Sequence, residues 1–234
     1  MPLAFSTLMR LILAGSAPPP APWFEPDAKF AWSTITDTDT ASINPSVGSA
    51  IALTSGTAAV ANANLWEMQG NSYYYNSTAV ASNTPASGTP VLFALVMDKT
   101  GLTGSYKNIA IFGTSPYLKF DTNSTDLVSR GYFGATSSIV HGAISALPSG
   151  SHVYWIYMNG ASSPTMYSGR DQNDVGNIYI AAAAGANFLR GVSLGDTASV
   201  TCKLGSYQVV SRAGMTLADA KAIVAKMQAH HGIA

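Results

Sequence analysis

The sequence is poor in charge and contains a single cysteine. Charged residues make up 10% of the chain, against about 25% in a typical soluble domain. The 12 Lys and Arg residues balance 12 Asp and Glu residues, so the formal net charge is 0. Nucleic-acid binding requires clustered Lys and Arg, and because no basic run exists this class is excluded. A surface with so little charge repulsion favours a protein that packs beside copies of itself or partners.

Cys202 is the only cysteine, which excludes an intrachain disulfide. It lies in a predicted strand, and we expect it to be a small buried hydrophobic residue. Small secreted scaffolds are commonly stapled by disulfides. This chain must therefore hold together by packing.

Most of the chain reads as short strands separated by turns. About a dozen segments with alternating or β-branched apolar residues are broken by Gly, Pro, Asn and Ser. Val91 to Met97 is continuously apolar, which predicts a strand covered on both sides. With 47% hydrophobic residues and 234 positions, the chain can bury one sizeable core. We predict one all-β domain over residues 30–234, a sandwich or barrel.

The C-terminal segment is the exception, because it predicts a helix over residues 216–231. Thr216 and Asp219 have the spacing of a capping box. One apolar stripe recurs at helical spacing, formed by Leu217, Ala220, Ile223, Val224 and Met227. Gly232 follows His230 and His231, as expected beyond a C-terminus where cationic side chains favour the helix dipole.

Residues 1–29 differ from the rest and predict an N-terminal docking arm with a proline spacer. The first 17 residues are apolar, and Pro18–Pro20 and Pro22 follow as a stiff spacer. Arg10 lies inside the apolar run rather than before it, which argues against a signal peptide, and the run is shorter than the ~20 residues that span a membrane. The arm is expected to dock on the protein's own domain, a sister subunit or a larger assembly, through Leu3, Phe5, Leu8, Leu11, Ile12, Leu13, Trp23 and Phe24.

Several motifs resemble one known architecture. These are VYWIYMNG at residues 153–160, GVSLGD at 191–196, and GSYQVVSRAGMTLADAKAIVAKMQAHHGI at 205–233. Together they resemble the laminin-G-like, concanavalin A-like jelly roll over about residues 30–233. The matching positions in the last motif are Arg212, Met215-Thr216, Asp219, Ile223 and Gly232-Ile233, with one extra residue between Arg212 and the helix. The apolar, proline-containing lead resembles jelly-roll proteins encoded among tailed-phage structural genes.

The resemblance implies an all-β jelly-roll β-sandwich of the concanavalin A-like lectin/glucanase type, with one C-terminal α-helix and an extended N-terminal arm. It implies a non-enzymatic virion structural protein, in a capsid decoration, head fibre or tail, anchored to other virion proteins and able to bind host surface polysaccharide. The expected location is the particle surface, otherwise extracellular, with a homo-oligomer and no cofactor. A carbohydrate-binding module or adhesin outside a virion is the alternative.

A polysaccharide-degrading enzyme is the least favoured reading. Glycosidases of this fold carry E-x-D-x-x-E on a strand, since glycoside hydrolysis needs two paired carboxyl groups. Glu25 and Glu67 are the only glutamates in the sequence, and they are far apart. No G-x-S-x-G nucleophile elbow occurs.

Two candidate sites remain. Aromatic faces suit sugar binding, and Tyr73, Tyr74, Tyr75 and Tyr117 are the candidates. In a strand Tyr73 and Tyr75 share one face while Tyr74 takes the other, so one face belongs to the core.

The loop GRDQNDVGN at residues 169–177 offers Asp171, Asn173 and Asp174 as oxygen ligands for Ca²⁺. Turn chemistry alone also explains these residue types there.

Overall fold

A computed structural model describes residues 22–80, 89–114, 116–133, 136–161, 164–180, 190–195 and 201–234. Over these residues the chain forms sixteen strands, a 3-10 turn at Ile144–Ala146 and one α-helix, α1, at Leu217–His231. The strands are β1 (Ala28–Ser33), β2 (Ser42–Ile43), β3 (Ile51–Ser55), β4 (Val60–Asn62), β5 (Leu65–Glu67), β6 (Tyr73–Asn76), β7 (Val91–Asp98), β8 (Asn108–Gly113), β9 (Tyr117–Thr122), β10 (Asp126–Tyr132), β11 (Thr136–Ala143), β12 (Ser151–Met158), β13 (Thr165–Arg170), β14 (Asn173–Tyr179), β15 (Val192–Gly195) and β16 (Lys203–Ser211).

The strands form two antiparallel sheets that pack face to face. The first sheet has the order β14-β13-β12-β7-β16-β5-β4, with β1 also paired to β16. The second has the order β11-β10-β9-β8-β15-β6-β3-β2. The fold is therefore an all-β sandwich with one C-terminal helix, as the sequence predicts.

Strand β7 lies at the centre of the first sheet and is buried on both faces. Alternate side chains along a strand point to opposite faces. Those that join the core between the two sheets are Val91, Phe93, Leu95 and Met97. Those that pack beneath α1 are Leu92, Ala94 and Val96. The continuous apolar run thus has the predicted cause, a covering layer on each side.

Helix α1 begins and ends where the sequence predicts. Thr216 is the N-cap: its hydroxyl accepts a hydrogen bond from the Asp219 amide, while the Thr216 amide donates to the Asp219 carboxylate. Gly232 ends the helix with a φ of 64°, the left-handed conformation that glycine adopts without strain. Tyr157 fixes the entry to the helix by donating from its hydroxyl to the Met215 carbonyl at 2.7 Å. No helix among the described residues is long and apolar enough to cross a membrane.

The histidines at the end of α1 differ from the sequence-based expectation. His230 and His231 are expected to be cations that favour the helix dipole, yet they lie against the first sheet, where Ser33 and Ser206 contact their Nε2 atoms. Burial lowers the pKa of His230, and burial together with the neighbouring His230 lowers the pKa of His231 to about 4. Both rings are therefore neutral at pH 7.

Trp23 and Phe24, two of the predicted docking residues, pack on the protein's own helix. The ring of Trp23 stacks on His230 with centroids 4.9 Å apart, and Phe24 meets Trp23 edge to face. These two residues therefore contact the protein's own domain, one of the surfaces on which the arm is expected to dock. The other predicted docking residues lie outside the described residues: Leu3, Phe5, Leu8, Leu11, Ile12 and Leu13.

Glu25 attaches the segment before β1 to the rest of the domain through ion pairs. Its carboxylate accepts hydrogen bonds from Arg212 at 3.0 Å and from Lys226 of α1. Burial raises the pKa of Glu25, but the hydrogen bonds from Lys226 and Arg212 outweigh it and leave that pKa below its usual value. The segment before β1 is thereby joined to both β16 and α1.

Two smaller features complete the comparison with the sequence. Cys202 is buried, as predicted, and burial with the nearby Asp98 charge raises the pKa of its thiol to about 12. An Asn-Gly pair suits the positive φ angles of a tight hairpin turn, so the sequence predicts one at Asn159-Gly160. Instead β12 ends at Met158 and β13 begins at Thr165, so the connection is longer, and the Asn159 side chain accepts a hydrogen bond from the Thr165 amide.

Candidate functional site

The outer face of the second sheet carries aromatic and charged side chains. Strand β9 shows the alternation that places them there: Leu118 and Phe120 are fully buried in the core between the sheets, whereas Tyr117 and Lys119 are partly exposed. Neighbouring strands in register present their side chains on the same face. We call this surface the outer face.

A continuous row of cross-strand partners runs across six strands of the second sheet. Each residue in the row is the direct register partner of the next. In order from β11 to β6 the row is Ser138, Arg130, Lys119, Ile111, Ser193 and Tyr75. The row therefore joins a cationic end to an aromatic end on one surface.

Tyr73 and Tyr75 form the aromatic end. Their rings lie parallel, with centroids 6.2 Å apart and planes inclined by 5°, and Tyr75 is 37% exposed. Flat aromatic surfaces of this kind can pack against the C–H faces of a sugar ring.

Tyr74 points the other way and is corrected as a sugar contact. It is fully buried, its hydroxyl donates to the Thr40 carbonyl at 2.6 Å, and that hydroxyl accepts from the Ala59 amide at 2.9 Å. Burial raises the pKa of Tyr74. Of the two faces that the sequence leaves open, the one with Tyr74 is core.

Tyr117 pairs with Tyr132 on the same outer face. The two residues are direct cross-strand partners in β9 and β10. Their rings stack with centroids 5.3 Å apart and planes inclined by 13°. Lys119 Nζ lies 5.6 Å from the centroid of the Tyr117 ring, within the range of a cation–π interaction. Three strand spacings, about 14 Å, separate β9 from β6, so the two tyrosine pairs can contact different units of one oligosaccharide.

A network of charged groups adjoins the Tyr117–Tyr132 pair. Arg130 donates from Nε to both oxygens of Asp121, at 2.8 and 2.7 Å. Lys119 donates from Nζ to Asp121 and to Asn108 Oδ1, each at 2.8 Å. Asp121 is 4% exposed, so its carboxylate serves mainly to hold the two cations in place. The face thus offers oriented hydrogen-bond donors beside aromatic rings.

Ser193 lies next to Tyr75 in the row and is 3% exposed. Its hydroxyl has no hydrogen-bond partner within the described residues. A buried hydroxyl without a partner is unfavourable, and it marks a place on this face where the described residues leave a polar group unsatisfied.

Sequence reasoning identifies Tyr73, Tyr75 and Tyr117 but misses Lys119 and Arg130. The structure brings all five to one face. The signal that could have found the cations is alternation: YLKFDT places Lys119 on the side of Tyr117, and RGY places Arg130 on the side of Tyr132. The sequence does not show that these two segments are neighbours, because that depends on the register of β9 against β10.

The predicted calcium loop is occupied by internal contacts. The Asp171 carboxylate accepts hydrogen bonds from His152 Nδ1 at 2.7 Å and from the Val153 amide at 2.9 Å. Asp174 forms an ion pair with Lys221 at 3.0 Å, and Asn173 is an exposed residue at the start of β14. Within the described part of the chain, no group of three or more His, Cys, Asp or Glu side chains could hold a metal ion. Calcium binding here stays a prediction without support from this geometry.

Comparison with known proteins finds similarity of fold to solved structures, but no similarity of sequence to a known family. No protein-family model matches the sequence, and no match is found among curated proteins. Solved structures of the same fold include binding domains of clostridial toxins. This chain spans about half the length of those domains, and identities near 10% show similarity of fold alone.

Three of these structures illustrate the match. The binding domain of botulinum neurotoxin serotype D, in complex with N-acetylneuraminic acid, has a TM-score of 0.65 and 9% identity over 85% of this chain and 50% of its own. A structure of botulinum neurotoxin type C comes from work on cell entry of that toxin, which depends on interaction with two ganglioside molecules. It has a TM-score of 0.63 and 11% identity over 86% of this chain and 52% of its own. The binding domain of Paraclostridial Mosquitocidal Protein 1 has a TM-score of 0.60 and 11% identity over 85% of this chain and 52% of its own. None of the three is a virion protein.

Proposed function

We propose that this chain is a non-enzymatic carbohydrate-binding domain that holds a glycan on the outer face of its second sheet. The observation that carries the proposal is the presence of two stacked tyrosine pairs on that face, Tyr73–Tyr75 and Tyr117–Tyr132. Charged donors lie beside the second pair. Aromatic platforms with a few oriented polar groups are the common chemistry of small-ligand sites.

Two further observations support binding rather than catalysis. The carboxylate on the outer face, Asp121, is held by two cations, whereas a general acid or base must be able to exchange its proton with the substrate. The two glutamates are also engaged elsewhere, Glu25 with Arg212 and Lys226, and Glu67 with Asn62. Structural neighbours that are binding domains agree with this assignment.

The test is a glycan array probed with the full chain and with single alanine variants of Tyr75 and Tyr117. Truncating an aromatic anchor typically costs at least 2 kcal/mol, so we expect an affinity loss of at least about tenfold for each variant. Tyr179→Ala is the matched control, because Tyr179 is 58% exposed on β14 of the first sheet. Absence of any retained glycan for the unaltered chain would refute the proposal.

The setting of this domain stays a prediction. The expected virion role depends on the apolar segment at residues 1–21, which lies outside the described residues. The expected homo-oligomer and the extracellular or particle-surface location stay predictions as well. Purification of the chain alone, or only within large symmetric particles, distinguishes a free binding module from a particle component.

A further inference from the structure

We propose that the outer face selects acidic glycans, and that the two terminal nitrogens of Arg130 bind the carboxylate of an acidic sugar. This inference rests on the proposed function and names its ligand class. Arg130 uses only Nε within the protein, in two hydrogen bonds to Asp121. No described residue accepts a hydrogen bond from Nη1 or Nη2. The arginine side chain is 21% exposed, so these donors can reach a ligand.

The arrangement around Arg130 fits one acidic sugar unit. Arg130 and Lys119 are cross-strand partners, and so are Tyr132 and Tyr117, two residues along the same strands. Residues two apart on one face are about 7 Å apart. A sugar ring that packs on the stacked tyrosines therefore places a ring carboxylate within reach of the guanidinium.

Charge on this part of the face favours an anion. Lys119 and Arg130 contribute two positive charges, and both are paired with the single carboxylate of Asp121. One formal positive charge is left uncompensated among these three groups. Since the whole chain has a formal net charge of 0, this excess is a local feature of the site rather than a general property of the surface.

Asp121 also prepares the guanidinium for binding. An arginine with a fixed planar fork matches a carboxylate with two parallel hydrogen bonds, and such charge-assisted pairs are about twice as strong as neutral ones. Because Nε is already held, little side-chain freedom is lost when a ligand binds. Arg130 is thus positioned to discriminate a carboxylate from the neutral group at the same place.

The experiment compares matched acidic and neutral glycans. The full chain is titrated by calorimetry with oligogalacturonate, hyaluronan oligosaccharides and oligosialic acid, and with the methyl ester of each. We expect at least one acid to bind about tenfold or more tightly than its ester, since hydrogen bonds to charged groups carry the larger free energies. Arg130→Gln should abolish that difference, and Arg130→Lys should restore only part of it, because lysine keeps the charge but not the fork.

Controls separate this inference from the proposed function. Lys29→Gln removes one positive charge from β1 of the first sheet and should leave the preference for acids unchanged, and thermal unfolding reports whether each variant is folded. Equal affinity for acids and esters would overturn the carboxylate assignment while carbohydrate binding stands. No binding to any acidic or neutral glycan would overturn both.

Discussion

Nε2 of His231 lies 2.6 Å from the hydroxyl of Ser206, where the last turn of α1 meets the first sheet. His230 contacts Ser33 in the same way at 2.8 Å, and the two serines are direct cross-strand partners in β1 and β16. Two adjacent histidine–serine hydrogen bonds therefore attach the end of the helix to neighbouring strands. Because burial lowers both pKa values, the two imidazoles are neutral at pH 7 in this partly dehydrated contact.

Acidification should destabilise the fold through its buried histidines. Burial and the charge of Arg170 lower the pKa of His141 to about 4, and His231 has a pKa of about 4 as well. Between pH 6.5 and 4 the unfolded chain binds protons that the folded chain does not, so the free energy of unfolding falls as the pH falls. This stability is fully present above pH 6.5. From pH 6.5 to 5, His141 alone accounts for a loss of about 2 kcal/mol.

Urea unfolding measured between pH 7.5 and 4.5 checks this expectation. His231→Gln keeps a polar contact for Ser206 but cannot titrate, so its stability should change less with pH than that of the unaltered chain. His141→Gln should act in the same direction and to a similar extent, because both imidazoles have a folded-state pKa of about 4. Parallel pH profiles for all three proteins would contradict the assignment.

Tyr74→Phe should weaken the fold without weakening glycan binding. The substitution leaves the Thr40 carbonyl and the Ala59 amide without their partner hydroxyl. An unsatisfied buried polar group costs about 1–3 kcal/mol. Denaturant unfolding gives the free-energy change, and the glycan array gives the affinity. If the variant has an unchanged free energy of unfolding but no longer binds the glycan, Tyr74 would be part of the binding site after all.

Glu25→Gln should loosen the segment before β1. It removes the charge that Arg212 and Lys226 share, and because both cations are partly exposed the expected loss is about 1–2 kcal/mol. Tryptophan fluorescence should shift as Trp23 leaves His230. The low pKa of Glu25 means that this stabilisation is present above pH 4.5 and is lost as the pH falls below it.

Glu67→Gln is the matched control for Glu25→Gln. The Glu67 carboxylate accepts a hydrogen bond from the exposed Asn62 side chain at 2.9 Å, and removal of its charge should change stability by less than about 0.5 kcal/mol. If the two substitutions change the free energy of unfolding equally, the ion pairs of Glu25 do not stabilise the fold.

Ser193→Ala should be neutral or stabilising. The Ser193 hydroxyl is buried without a partner among the described residues, and its removal relieves a penalty of about 1 kcal/mol or more. Thermal unfolding measures the change. A marked loss of stability would mean that an ordered water or a ligand-like group satisfies this hydroxyl in solution.

Features encoded locally could be predicted from the sequence. The capping residues Thr216 and Asp219 and the apolar stripe define α1, and the unbroken run from Val91 to Met97 predicts a strand covered on both faces. Both are consequences of side-chain spacing along one element. The buried state of Cys202 is predicted as well, although Cys202 lies just before β16 rather than within a strand.

Features created by packing between distant segments could not be predicted. The contact of Arg130 with Asp121 depends on the register of β9 against β10, and the pairing of Ser193 with Tyr75 joins strands more than a hundred residues apart in sequence. The neutral state of His231 arises from burial against β16, which local helix patterning does not report. The site therefore emerges from strand register rather than from any contiguous motif.

The position of α1 also decides how this domain would be presented on a support. The segment at residues 22–27 and the end of the chain at Ile233 both pack beside the helix, over the first sheet. The two tyrosine pairs lie on the far side of the sandwich. A tether joined at residue 22 or at the C-terminus would thus leave from the back of the domain, so immobilisation through either point leaves the glycan-facing surface directed outward into solution.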